Sequence, residues 1–209
     1  MADTEKFESS NDTELKILEA AKEIFSKKGY DGARMQEIAD EAKINKACLH
    51  YYFRSKDKLF EIIFRQCFKK VYNELGEVID KELPLKDKIV FIVEHYIKFI
   101  SKNQYLIPFI MTEVAKDPEK LVKIIKNSEI KFKPGNFIKQ IKKEIESGKI
   151  REIDPLQLFM NIISMCVFPF FARPIICGIL EISETKYRKM MDDRKKIIVE
   201  FIMKSIENR

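Results

Sequence analysis

The chain has 209 residues, 45% of them hydrophobic and 34% charged, so a sizeable core can form and wholesale disorder is excluded. Six Gly and seven Pro are few turn formers for a many-stranded sandwich or barrel, and apolar residues recur at helical spacing, which points to an all-α chain. The net charge of +6 does not by itself place an anionic partner at the N-terminus: residues 1–60 carry 11 basic and 12 acidic side chains, and residues 61–209 carry 28 and 21.

Residues 1–10 are polar and charged, lack the apolar stretch of a secretory signal, and read as a disordered tail. Cys48, Cys67, Cys166 and Cys177 share no C-x-x-C spacing, and there are two His. This predicts free thiols, a cytoplasmic location, no metal site and no cofactor. A first helix is predicted over Asp12–Lys28, with Ile17, Leu18, Ala21, Ile24 and Phe25 inward, a capping box from Asn11 and Glu14, and Gly29 as its C-terminal cap. After a turn at Tyr30–Gly32, a short second helix carries Met35, Ile38, Ala39 and Ala42 on one face. Asn45 caps a third helix whose inward face is Leu49, Tyr52 and Phe53, and Ser55 caps a fourth.

Two short helices joined by a tight turn and braced by a longer preceding one describe a helix-turn-helix, whose second helix enters the major groove of DNA. The outward face of that helix must be short, polar and free of carboxylates. From Ala42 to Lys56 there is no Asp or Glu, while Lys43, Lys46, Arg54 and Lys56 are basic. Ala47 allows close approach, and His50 and Tyr51 offer hydrogen-bonding groups and a ring edge to bases. Arg34, Lys46 and Lys56 have the reach for phosphates.

The run Gly29-Tyr30, Ile38-Ala39 and Ala42-x-Ile44-Asn45-Lys46-Ala47-Cys48-Leu49-His50-Tyr51-Tyr52-Phe53-Arg54-Ser55-Lys56-Asp57-Lys58-Leu59 resembles the signature of the tetracycline-repressor (TetR) family, over about residues 12–62. The resemblance implies a homodimeric regulator, with a helix-turn-helix domain over 11–56 and an effector-binding and dimerisation domain over 57–209, about nine helices in all. It implies binding to a palindromic double-stranded operator, and repression relieved by a small molecule. By position it implies base or nearby backbone contacts from Ala47, Cys48, His50 and Tyr51, and phosphate contacts from Tyr52 and Lys56; the cap Asn45 is counted with these DNA-binding residues. This chain departs from the pattern in having Ala33-Arg34 for a Thr/Ser pair, Lys43 for the turn Gly, Asn45 for Ser, Cys48 for Thr and His50 for Tyr.

Further along, Ile89, Ile92, Val93, Tyr96, Ile97 and Ile100 mark a strong helix, and Pro108, Pro118 and Pro134 punctuate shorter ones. Asp154-Pro155 opens a long apolar helix that Pro169 and Pro174 bend or end, and Ser183 opens the last. The stretch Leu158–Leu180 is apolar but interrupted by Asn161, Pro169, Arg173 and Pro174, so it reads as core and not as a membrane span. Candidate effector contacts are His95, Tyr96, Phe99, Phe109, Phe132, Phe159 and Ile163; candidate dimer contacts are Phe168, Phe171, Ile198, Phe201 and Ile202. The ten Lys against five acids in 115–149 read as a solvated face, with attraction of an acidic effector as the sharper alternative. The common nucleotide-binding and hydrolase motifs are missing, which argues against an enzyme. The remaining alternative is a helical module that binds proteins or membrane surfaces without DNA.

Overall fold

The computed structural model describes residues 2–127 and 134–208, without the side chains of residues 2–11, 109, 112–114, 120 and 121. Phe132 and the Phe109 side chain therefore lie outside the description. The described residues form eleven helices and no strand. They are α1 (Ala2–Gly32), α2 (Met35–Glu41), α3 (Lys46–Tyr52), α4 (Lys56–Ile79), α5 (Leu85–Lys102), α6 (Leu106–Lys116), α7 (Pro118–Lys126), α8 (Pro134–Glu146), α9 (Pro155–Phe171), α10 (Arg173–Ile179) and α11 (Glu184–Ile206). The count exceeds the expected nine or so because prolines split helices: Pro118 opens α7 and Pro174 lies in the first turn of α10.

Two compact units form: Met1–Phe68 with Asn103–Ser128, and Lys69–Lys102 with Glu129–Arg209. This division differs from a linear boundary at residue 56. Helix α4 continues through both units, and α6, which contacts α1, belongs with the first.

In the first unit the predicted stripe of α1 is buried, with Ile17, Ala21 and Phe25 fully so. The helix begins at Ala2, ahead of the expected start, because nothing in residues 2–11 breaks it and propagation adds a hydrogen bond per residue. Asn11 thus lies within the helix instead of capping it. At Gly29 the backbone turns to φ 70°, ψ 177°, a region open in practice to glycine alone, and this kink ends the long run of α1 where the sequence places its cap. Phe25, Tyr30 and Phe60 meet there, with Phe60 edge-on to the other two rings at 4.9 and 5.1 Å.

In the second unit α5 packs on α9 and α11. Ile89, Ile92, Val93 and Ile97 of α5 are buried, as are Leu158, Ile162 and Cys166 of α9 and Tyr187, Ile198, Ile202 and Ile206 of α11. Asp154 caps α9 by accepting from Gln157 N–H at 2.8 Å, with Pro155 in the first turn. Ser183 caps α11 through Lys186 N–H at 3.3 Å. Pro169 has no N–H, so the carbonyl of Met165 loses its helical donor. Arg194 Nε of α11 donates to that carbonyl at 2.9 Å, and Tyr187 Oη donates to the Pro169 carbonyl at 3.1 Å. Helix α9 then turns by 65° into α10. No single helix among the described residues is long and apolar enough to cross a membrane.

Candidate DNA-recognition face

The turn between α2 and α3 is a Schellman motif. Lys43 N–H bonds Asp40 O at 3.1 Å, and Ile44 N–H bonds Ala39 O at 3.0 Å. The motif requires a left-handed residue, and Lys43 takes that conformation with φ 56°. Glycine is the usual residue for such a position, so Lys43 carries a backbone cost of about 1–2 kcal/mol. Asn45 follows as N-cap of α3, its Oδ1 accepting from Cys48 N–H at 2.7 Å. At the start of α2, Glu37 accepts from Arg34 N–H at 3.4 Å and pairs with Lys28 at 2.9 Å, which draws its pKa below the ordinary carboxylate value.

These caps orient α3. Leu49 and Phe53 are buried against the unit, and Tyr52 is half-buried beneath the Tyr51 ring, edge-on at 5.3 Å. Lys46, Ala47, His50 and Tyr51 face outward, Tyr51 with 83% of its surface exposed, and Cys48 is at the margin. His50 Nδ1 lies 3.3 Å from the Arg54 carbonyl, which orients the ring and leaves Nε2 outward. Arg34, Lys43, Lys46 and Arg54 are all exposed, with no ion-pair partner among the described residues. The arrangement is a projecting helix with adaptable hydrogen-bonding groups at its centre and free cations around it. That suits a groove flanked by phosphates.

Lys56, expected at a phosphate, is spent within the protein. Its ammonium donates to the carbonyls of Tyr30 at 2.8 Å, Ala33 at 3.1 Å and Asp31 at 3.4 Å, and lies 4.5 Å over the Tyr30 ring. Asp57 next to it accepts from the Tyr30 hydroxyl. The cause is local: carbonyls at the end of α1 lack helical donors and collect a cation. Sequence reasoning missed this clip, although the co-occurrence of Gly29-Tyr30 with Lys56-Asp57 carried the signal. Ser55 caps α4 as expected, accepting from Lys58 N–H at 3.2 Å.

The effector candidates that can be placed lie on α5 and α9. Tyr96 is buried and donates its hydroxyl to Tyr72 at 2.7 Å; burial holds its pKa well above the usual tyrosine value. His95 stacks on Phe91 at 5.3 Å, with Nε2 3.1 Å from Glu74 but off the line of a hydrogen bond, and burial lowers its pKa. Phe99, Phe159 and Ile163 are half-buried, and Phe159 meets Phe137 edge-on at 6.2 Å. Cys166 beside them is pushed up to about 12 by burial and stays a thiol. Among the dimer candidates, Phe168, Phe171 and Phe201 are exposed, whereas Ile198 and Ile202 point into the core. The inward stripe of α11 runs through Tyr187, Met191, Ile198, Ile202 and Ile206, which turns Ile197 and Phe201 outward.

Residues 17–63 match the family model described as bacterial regulatory proteins, tetR family. The chain is similar to the transcriptional repressor NicS of Pseudomonas putida, at 25% identity over 162 residues and 73% of each chain. It is similar to IcaR of Staphylococcus epidermidis, a negative transcriptional regulator of the biofilm operon icaADBC, at 26% identity over 83% of this chain and 91% of the relative. Its fold resembles the TetR family regulator PfmR of Thermus thermophilus, with a TM-score of 0.64 at 19% identity over 88% and 97% of the two chains. It also resembles the regulator FadR of Bacillus subtilis solved with stearoyl-CoA, with a TM-score of 0.59 at 15% identity over 88% and 97%. With an exposed, acid-free third helix set by an Asn cap and a Schellman turn, and with that turn and helix inside the matched region, residues 17–63 form a DNA-binding domain of the tetR family and the chain is a DNA-binding transcriptional regulator.

Proposed function

We propose that this chain is a homodimeric repressor that places α3 of each protomer in the major groove of a palindromic operator and releases it when a small molecule binds the second unit. The observation that carries the reading is the outward face of α3: Lys46, Ala47, His50 and Tyr51 exposed together, ringed by the unpaired Arg34, Lys43 and Arg54. Base reading falls to Ala47, Cys48, His50 and Tyr51, and phosphate contact to Arg34, Lys43, Lys46 and Arg54, with Tyr52 at the margin. Such a protein works where the DNA is, in the cytoplasm.

Dimerisation is supported by exposed apolar side chains on two helices of the second unit. On α9 these are Met160, Phe168 and Phe171, and on α11 Ile197 and Phe201. Within each helix they recur at helical spacing, which gives each an outward apolar face. Effector binding near His95, Tyr96, Phe99, Phe159 and Ile163 is supported by their gathering on α5 and α9. The ligand held by FadR, a protein of similar fold, is consistent with such a role for these helices.

Selection of bound duplexes from random DNA tests the reading. It should return two inverted half-sites whose centres lie about 34–36 Å apart or a multiple of that. A single unrepeated site, or no enrichment, overturns it.

A further inference from the structure

A cleft of about 980 Å³ opens in the second unit between the α4–α5 connection and α8 with its C-terminal turn. None of the DNA-facing residues lines it, nor do the aromatic candidates of α5 and α9. Its two walls are tied together. Gln140 of α8 donates Nε2 to Leu83 O at 2.9 Å, and Asn136 donates Nδ2 to Asp80 at 2.7 Å. The end of α8 is fastened by a second Schellman motif: Gly148 sits at φ 69°, Lys149 N–H bonds Glu144 O at 2.9 Å, and Asn208 donates to the Gly148 carbonyl at 2.5 Å. The width of the cleft is therefore set before anything enters it.

Its lining is basic on balance, with six Lys against Asp80, Glu82 and Glu144. Lys81 and Lys86 on one wall and Lys139, Lys143 and Lys149 on the other have no ion-pair partner among the described residues. Two of the acids present are engaged by amides: Asp80 by Asn136, and Glu144 by Gln140 at 3.2 Å. In the lining, Lys88 is only 4% exposed, and its ammonium donates to the Ile79 carbonyl at 2.5 Å, the one acceptor the described residues give it. An ammonium has three protons to place, and with one on this carbonyl the others are directed to whatever fills the cleft. Burial already draws the Lys88 pKa down, against the pull of Asp80, Glu144 and Glu82. Gln140 Oε1, also in the lining, is buried without a donor among the described residues. Flipping that amide is no remedy, since it sets an oxygen against the Leu83 carbonyl. A merely solvated lysine face has no need of a buried ammonium or an orphaned acceptor in its lining.

We propose that this cleft binds a small, multiply charged anion, gripped by lysines of both walls and by Lys88 within. Lysines are point charges on flexible stems and take phosphate or carboxylate oxygens alike. The probes are therefore tripolyphosphate and citrate, titrated calorimetrically into the full-length protein at physiological salt. At least one should bind saturably, one per chain, and at least tenfold more weakly in Lys139→Gln/Lys143→Gln; both side chains are exposed, so the fold is not at stake. Lys46→Gln on α3 should leave that binding unchanged, which separates the cleft from the DNA face. Saturation by tripolyphosphate alone assigns a phosphorylated ligand, and by citrate alone a polycarboxylate. No saturable binding, an affinity indifferent to the double substitution, or one abolished by Lys46→Gln overturns the proposal, and none of these outcomes bears on operator binding.

Discussion

Helices α3 and α9 reach their places by different means. The seven residues of α3 are positioned by groups close to them in sequence: the Lys43 turn, the Asn45 cap, and Leu49 and Phe53 as anchors. The seventeen residues of α9 start on an equally local signal, Asp154-Pro155, but end on distant help. Pro169 strips a donor from Met165, and Arg194, 29 residues on, replaces it, while Tyr187 binds the Pro169 carbonyl from 18 residues away. A short helix that projects into solvent has few neighbours to correct it, so its geometry must be written nearby. A long helix in a core can carry a defect because another helix repairs it.

Five substitutions sharpen that contrast. Arg194→Met should cost about 1–3 kcal/mol in denaturant unfolding by orphaning the Met165 carbonyl, while operator contacts stay as they are. An unchanged midpoint would show that α9 does not depend on this distant partner. Tyr51→Ala or His50→Ala should have the opposite profile, losing about 1–3 kcal/mol of operator affinity and relaxing preference at one or two positions per half-site, with stability intact. Lys56→Met should lower stability by about 1 kcal/mol through loss of its carbonyl contacts, yet leave the salt dependence of DNA binding at the wild-type slope. A slope reduced by about one would mean that Lys56 touches phosphate after all. Smallest is Lys43→Gly, which should stabilise the protein by about 0.5–1 kcal/mol in thermal unfolding, by relieving the left-handed backbone less glycine's entropy cost, and should weaken DNA binding slightly by removing a charge.

The same contrast explains what could be read in advance. The caps at Asn45, Ser55, Asp154 and Ser183, the kink at Gly29, the inward Leu49 and the outward His50 and Tyr51 all rest on spacing within one or two turns, and all were legible. The misassignment of Ile198 and Ile202 to an outer surface has a different origin. Every apolar residue of α11 looks alike in sequence, and only the helices packed against it decide which stripe is covered. The role of Lys56 was hidden because a basic residue near a groove and a basic residue on a helix end have the same one-dimensional appearance. The lysine-rich segment 115–149 could be counted, but its pairing with Lys81, Lys86 and the buried Lys88 across a cleft required the fold.

The lysine clip between α4 and the end of α1 bears on how firmly the reading head is held. With three carbonyls and an aromatic ring gathered on one ammonium, and Tyr30 bound in turn to Asp57, the first turn of α4 is riveted to the scaffold that carries α3. The start of α4 and the reading head are thereby held as one stiff piece within the first unit. Cutting the rivet would spare every group that faces the groove while letting α3 shift against α4, so such a variant would hold its operator more loosely.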